Sequence, residues 1–368
     1  MIMWEKGRIR EILSENQTKQ IVIIENEKGE GRKGINYPLL TGVCISDDEV
    51  LYNRTAVELK LGTGGYDFII ANLTHPPTEG KLPNGHTMKN RYTPLQLAFQ
   101  SGEEHVDLLS WESIERESNL RGIPVLIISL HSMLPLLTIL LKEKNPDMKI
   151  VYLMTDSTSL PIWLSEHVQH LKERNLLHAT ITSGQSFGGD LESINTYSGL
   201  LLAKYRLGAD LIIMGGGPGS MGTGTVWGYS AIEIGELVNT VNILAGLPII
   251  PPRISFLDPR PRHHGLSHHI LTALSKVALT PAHLALPHLD DHRFTYLLEQ
   301  IEGEEIMTKH YLHLLPAISE ESIFEIMKNY GVNVTTMGRG IADDPVYFQG
   351  VAAAAELALT YLEGEEEM

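Results

Sequence analysis

Up to about residue 73, apolar residues recur at every second position in short runs, over residues 7–13, 20–25, 42–45, 48–52, 57–61 and 67–72. Gly29, Gly31, Gly34, Asp47-Asp48 and Gly62-Thr63-Gly64-Gly65 punctuate them. Period-two alternation in runs this short predicts a small antiparallel β-barrel domain over residues 1–73. Residues 74–95 read as a loop or linker, with Pro76-Pro77, Gly80, Pro83, Asn84-Gly85 and Pro94. They also carry His75, His86, Lys89, Arg91 and Tyr92, so the loop is either a solvated connection or a flap over a site.

From residue 96 the pattern becomes apolar runs alternating with helical stretches. Strands are expected at 125–130, 149–154, 178–182, 210–214, 248–251 and 332–336, and helices at 133–142, 160–174, 191–206, 229–245, 267–279 and 350–362. This alternation predicts an α/β domain over 96–368, built on a mostly parallel, doubly wound, Rossmann-like sheet. In 229–245 the residues Ile232, Ile234, Leu237, Val238, Val241 and Leu244 form a helical stripe, and Gly246 and Pro248 stop it. Ser159 reads as a helix cap with Pro161 in the first turn, and Asp190 as a second cap. The apolar stretch 123–141 is broken by Pro124, His131, Ser132 and Pro135, which divide it into a buried strand and a helix rather than a membrane span.

Composition narrows the function. With 43% hydrophobic and 20% charged residues the chain is expected to fold unaided, and the net charge of −16 speaks against nucleic acid and anionic membranes as partners. The one cysteine, Cys44, excludes an internal disulfide or a multi-cysteine zinc site, suits the cytosol, and reads as a core residue. The amino terminus turns charged at once, so no secretory signal is expected.

In a parallel sheet the loops after the strands converge at one rim, and the unusual polar residues lie in those loops. The densest in glycine is residues 215–225. As a dinucleotide motif it lacks an acid twenty residues on, where Asn242 stands; as an S-adenosylmethionine motif it has Ile213 in the acid's place; as a triphosphatase loop it lacks a lysine. A turn permitting close packing remains an alternative. Gly215, Gly216, Gly217, Gly219, Gly222, Thr223 and Thr225 are the expected ligand contacts, by backbone and hydroxyl groups. Gly184-Gln185-Ser186-Phe187-Gly188 fits a nucleophile elbow or, more simply, a polar turn.

Residues 251–269 hold Arg253, Asp258, Arg260, Arg262, His263, His264, His268 and His269. Arginine forks on proline-stiffened backbone suit phosphate or carboxylate, so Arg260, Arg262 and His263 are expected to bind an anion, with Arg91 from the earlier loop. His264, His268 and Asp156 are the candidate proton carriers, Asp156 being equally suited to capping. The histidines also suggest a metal, since His264 and His268 are four apart. A helix starting near Leu266 would leave His263 and His264 in the loop, and further ligands would have to come from Asp156, Asp258, Asp290, Asp291 or His292.

Four long motifs carry a resemblance that runs nearly end to end. They are Gly85-His86-Thr87-Met88-Lys89 with Arg91-Tyr92-Thr93-Pro94, Phe187-Gly188-Gly189-Asp190, residues 215–225, and Pro259-Arg260-Pro261-Arg262-His263-His264-Gly265-Leu266-Ser267-His268-His269. Through them the chain resembles a family of Gram-positive bacterial proteins catalogued as a domain of unknown function. The resemblance implies a bacterial cytosolic protein; no activity or cofactor comes with it. The residues themselves lead to an enzyme of small-molecule metabolism, a transferase or hydrolase whose partner is a small anionic metabolite. A metabolite-binding sensor or a structural protein is the alternative, and a homo-oligomer is compatible with either.

Overall fold

The computed structural model describes residues 2–62, 64–77, 85–105, 118–331 and 334–366, with isolated positions at 112, 114 and 116. Its contacts divide the chain into two units, Met1–Pro83 and Asn84–Met368.

The first unit is a closed five-stranded barrel. Its strands are β1 (Trp4–Glu15), β2 (Gln20–Asn26), β3 (Gly31–Asn36), β4 (Glu49–Asn53) and β5 (Asp67–Asn72), in the order β1-β2-β3-β5-β4 with β4 closing on β1. Alternate side chains turn inward, so Ile9, Val22, Ile24, Val50, Tyr52 and Ile69 fill it, and Cys44 is buried with them as expected. Three details differ from the sequence pattern. β3 forms where glycines suggested turns, because a Cβ at Gly34 would lie 2.6 Å from Ile24 Cδ1, so glycine lets β3 close on β2. Residues 42–45 are loop, and the run at 57–61 starts instead with a helical turn, Thr55–Glu58. β3 and β5 pair in parallel, so the barrel is not purely antiparallel.

Of the loop expected at 74–95, residues 78–84 lie outside the described residues. Residues 74–77 belong to the first unit, where His75 Nδ1 lies 2.6 Å from Asp48 Oδ1, and residues 85–95 enter a small hairpin of β6 (Thr87–Lys89) and β7 (Leu97–Phe99) in the second unit. Lys89, only 1% exposed, pins it: Nζ donates to Glu192 Oε2 at 2.6 Å, to the Thr182 carbonyl at 3.2 Å and to the Ser186 carbonyl. Glu192 Oε1 in turn accepts from Gly188 N at 2.7 Å, so two of the long sequence motifs meet at this ion pair.

The second unit holds an eight-stranded parallel sheet. Its strands are β8 (Pro124–Ile127), β9 (Ile150–Thr155), β10 (Ala179–Ser183), β11 (Leu191–Ser193), β12 (Leu211–Gly216), β13 (Leu247–Ile250), β16 (His283–His288) and β17 (Tyr311–Pro316), in the order β11-β10-β9-β12-β8-β13-β16-β17. The two-residue strands β14 (Ile254–Ser255) and β15 (Gly265–Leu266) pair with each other after β13. Continuous apolar runs make the central strands because both faces are covered. Val125, Ile127, Val151, Leu153, Ile212 and Met214 face one core, with α3 (Thr196–Leu201), α4 (Glu233–Ile243) and α5 (His268–Thr272). Leu126, Ile128, Ile150, Tyr152, Leu211 and Ile213 face the other, with α1 (Met133–Lys144), α2 (Glu166–Glu173) and α8 (Pro345–Glu366). The alternation of odd and even residues between two cores is the period of two expected of strands.

β16 and β17 are absent from the sequence pattern. Their sequences, HLALPH and YLHLLP, contain no Val, Ile or Thr, so the pairing register rather than β-propensity makes them strands. α6 (His292–Gly303) joins them, and α7 (Glu320–Lys328) follows. The strand expected at 332–336 lies partly outside the described residues; Thr336 forms only an isolated bridge with Arg339. Among the described residues no helix is long and apolar enough to cross a membrane.

Candidate functional site

The carboxyl ends of β8, β9 and β12 surround a cavity of about 280 Å³. After β8 the chain runs outward to β9 and β10; after β12, which lies between β9 and β8, it crosses to β13 on the other side. Such a reversal parts the loops and opens a crevice. A second lobe of about 150 Å³, bordered by the loop after β13, shares Ser220 and Met337 with the first.

The glycine stretch walls both lobes. β12 extends to Gly216, where a Cβ would lie 2.7 Å from Ser157 Oγ, so glycine lets the strand end pass under the loop after β9. Gly219 has a φ of +90°, a turn that an L side chain would strain. Gly216, Gly217 and Gly219 line the first lobe and Gly222 and Thr225 the second; Gly215 sits within β12. The chain does not pass straight into a helix. It turns back on itself, Gly222 bridging to Tyr229, with Thr223 N donating to the Gly228 carbonyl at 2.8 Å and Thr225 Oγ1 accepting from Gly228 N at 3.1 Å. Thr223 is therefore held inside this turn and lines neither lobe. α4 begins only at Glu233.

Glu233 is the residue that the sequence pattern passed over. It lines the first lobe, and its Oε1 accepts from Ser157 Oγ at 2.5 Å and Thr155 Oγ1 at 3.0 Å. Burial raises its pKa to about 7 against the lowering effect of the two hydroxyls, and no cation pairs with it among the described residues. A carboxyl poised near neutrality in a cleft is suited to general acid–base work. The only sequence signal was an acid in the first turn of the helix after the glycines, which ordinarily reads as favourable helix-dipole placement.

His131, in the same lobe, is committed to the protein. Tyr152 OH donates to the Gly216 carbonyl at 3.0 Å, so it accepts from His131 Nδ1 at 3.2 Å, and Nε2 accepts from Ser165 Oγ at 2.6 Å. Burial pushes its pKa down to about 3, and the neutral ring serves to orient the glycine loop.

The second lobe is cationic. Arg253 is 5% exposed and donates from NH1 to His269 Nδ1 at 3.1 Å; no carboxylate lies within ion-pair distance of it among the described residues. Burial draws its pKa down to about 10, leaving it charged at neutral pH. Arg260 is forked onto Asp258, at 2.8 and 2.7 Å, which holds that carboxyl far below its usual range. Arg262 lies beside Gly224 with no acidic partner among the described residues. Three guanidiniums thus line this lobe, and among the described residues only Arg260 of these is paired, with Asp258, whose Oδ2 also lies 3.8 Å from Arg339 NH2 outside the lobe.

His263, His268 and His269 complete this lobe, each offering a ring nitrogen within 4.8 Å of the others. Burial and then the nearby arginines lower His263 to about 3 and His269 to about 2, and His268 moves the same way, so the three rings are neutral.

The remaining expected residues lie elsewhere. His264 packs between Phe256 and Tyr296, at ring distances of 5.2 and 5.5 Å, outside both lobes. Asp156 is exposed and accepts from Gln185 N at 2.8 Å, so it caps a turn on the next loop rather than a helix. Arg91 is exposed in the turn of the β6–β7 hairpin and borders neither lobe. Ser186 is fully buried and donates to the Thr155 carbonyl at 2.8 Å, the polar turn rather than the nucleophile. Two caps move: Ser165, not Ser159, caps α2, and Asp190 accepts from Thr180 N at 2.8 Å while Asn195 caps α3. Asp290 is 99% exposed and Asp291 caps α6, so neither joins the histidines.

No curated protein and no solved structure matches the chain. Residues 33–355 match the family described as protein of unknown function (DUF3866), and the chain belongs to that family.

Proposed function

We propose that the chain is an enzyme of small-molecule metabolism, a transferase or hydrolase, that seats the phosphate or carboxylate of its substrate in the arginine lobe and presents the adjoining part to Glu233. The observation that carries this reading is Arg253, a buried guanidinium lining a cleft without a carboxylate partner among the described residues. A buried charge left uncompensated is costly, and an anionic ligand would offset that cost. Among the described residues the next lobe is lined by no Lys or Arg and has a carboxyl near neutrality, which suits a proton transfer beside the bound anion. The resemblance and the single buried cysteine support the cytoplasm of a Gram-positive bacterium as the setting, and the charge of −16 supports a metabolite rather than nucleic acid or a membrane as the partner.

Calorimetry with inorganic phosphate and pyrophosphate tests the anion site. Binding by the wild type should weaken at least about tenfold in an Arg260→Ala, Arg262→Ala double variant, since charge-assisted bonds are worth about 1.5–3 kcal/mol each; unchanged affinity removes the proposal. Catalysis is tested by incubating catalytic amounts of protein with a metabolite mixture. Depletion of an anionic compound supports an enzyme, and stoichiometric retention of an intact compound makes it a sensor.

A further inference from the structure

We propose that His263, His268 and His269 form a three-imidazole site for one divalent transition ion of the zinc class, filled together with the anion in the arginine lobe. The metal site stands on its own geometry; its coupling to an anion rests on the function proposed above.

The three nitrogens lie within 4.8 Å of one another, and a tetrahedral ion with bonds of about 2.0–2.1 Å needs them about 3.3 Å apart, a separation within reach of small ring rotations. Two rings are already oriented. His263 Nδ1 lies 2.8 Å from the Oγ of buried Ser267, and His269 stacks on Tyr229 at 4.0 Å and 3°. Holding the Nδ1 of a ring turns its Nε2 to the metal, the arrangement by which outer partners aim ligating histidines. His268 supplies an independent sign: its Nε2 is buried and has no hydrogen-bond partner among the described residues. A buried ring nitrogen left without a partner is costly, and a metal would satisfy it. No carboxylate belongs to the cluster among the described residues. Three imidazoles with a fourth position open to a cleft suit zinc, cobalt or nickel and not magnesium or calcium.

Arg253 sets the condition for binding. Because its NH1 donates to His269 Nδ1, that ring carries its proton on Nε2 and offers no lone pair there. When an anion draws the guanidinium away, the proton can sit on Nδ1 and Nε2 is freed for the ion. The same anion offsets the repulsion between the ion and three guanidiniums. Ion and anion should therefore raise each other's affinity by one common factor.

The experiment uses the full chain, stripped with a chelator and titrated with cobalt(II), whose visible absorption reports its ligands, with and without excess sulfate. One cobalt per chain is expected, bound at least about fivefold tighter with sulfate. His268→Gln and His263→Gln should each weaken it at least about tenfold, and Arg253→Met should remove the need for sulfate; circular dichroism confirms that each variant is folded. No cobalt spectrum under either condition, or a spectrum indifferent to both histidine substitutions, overturns the metal site even where calorimetry shows that sulfate binds. Tight cobalt at the histidines with no sulfate binding upholds the metal site and overturns the coupling together with the anion reading.

Discussion

Replacing Glu233 with Gln tests the electrostatics of the cleft without knowledge of the substrate. The glutamine keeps Oε1 as acceptor for Ser157 and Thr155 and removes only the charge. In the folded protein the carboxyl holds its proton up to about pH 7, whereas in the unfolded chain it releases it near 4.5. The folded state thus binds the extra proton, and stability falls as pH rises from 4.5 to about 7 and is flat beyond. At about 1.4 kcal/mol per pH unit this amounts to about 3 kcal/mol, a ceiling because water in the cleft screens the carboxylate. Glu233→Gln should remove that loss, so its stability relative to the wild type should be up to about 3 kcal/mol higher at pH 8 than at pH 5. Urea unfolding followed at 222 nm reads mainly the second unit, since α1 to α8 belong to it and the described helix of the first unit is two four-residue turns, Pro38–Thr41 and Thr55–Glu58. A difference between the two pH values below about 0.5 kcal/mol would mean an ordinary carboxyl pKa and refute the reasoning.

The same unfolding assay checks two further points. Lys89→Met leaves the half-buried Glu192 without its cation and should cost up to about 3 kcal/mol; Glu192→Gln in the same chain should recover part of it, and an undiminished loss would show that the pair is not what holds the hairpin. Ser165→Ala removes both the cap on Val168 N and the donor to His131 Nε2 and should cost about 1–2 kcal/mol; a loss within about 0.3 kcal/mol would mean that neither bond contributes.

Much of the architecture was legible because it rests on local rules. Apolar runs such as 150–154, with both faces buried, need no partner to be recognised as inner strands, and stop signals such as Gly246 and Pro248 act through the backbone alone. Where the outcome depended on a distant partner, the sequence was mute or misleading. Ser159 and Asp190 have the chemistry of caps, yet Ser165 and Asn195 take those positions because Pro161 pairs with Phe187 and Asp190 holds Thr180. Gly34 is indistinguishable from a turn glycine until Ile24 is seen against it.

The candidate site divides in the same way. The sequence by itself determined that glycines, arginines and histidines would gather at the rim of a parallel sheet, because every strand in such a sheet ends on the same side. Only the tertiary structure decided which of them share a cavity: it turned His264 onto Phe256 and Asp156 onto Gln185, and brought His263, His268 and His269 together beside Arg253. It also singled out Glu233. The ionisation of a carboxyl is set by the groups and the water around it, and those come from strands and helices far apart in the chain.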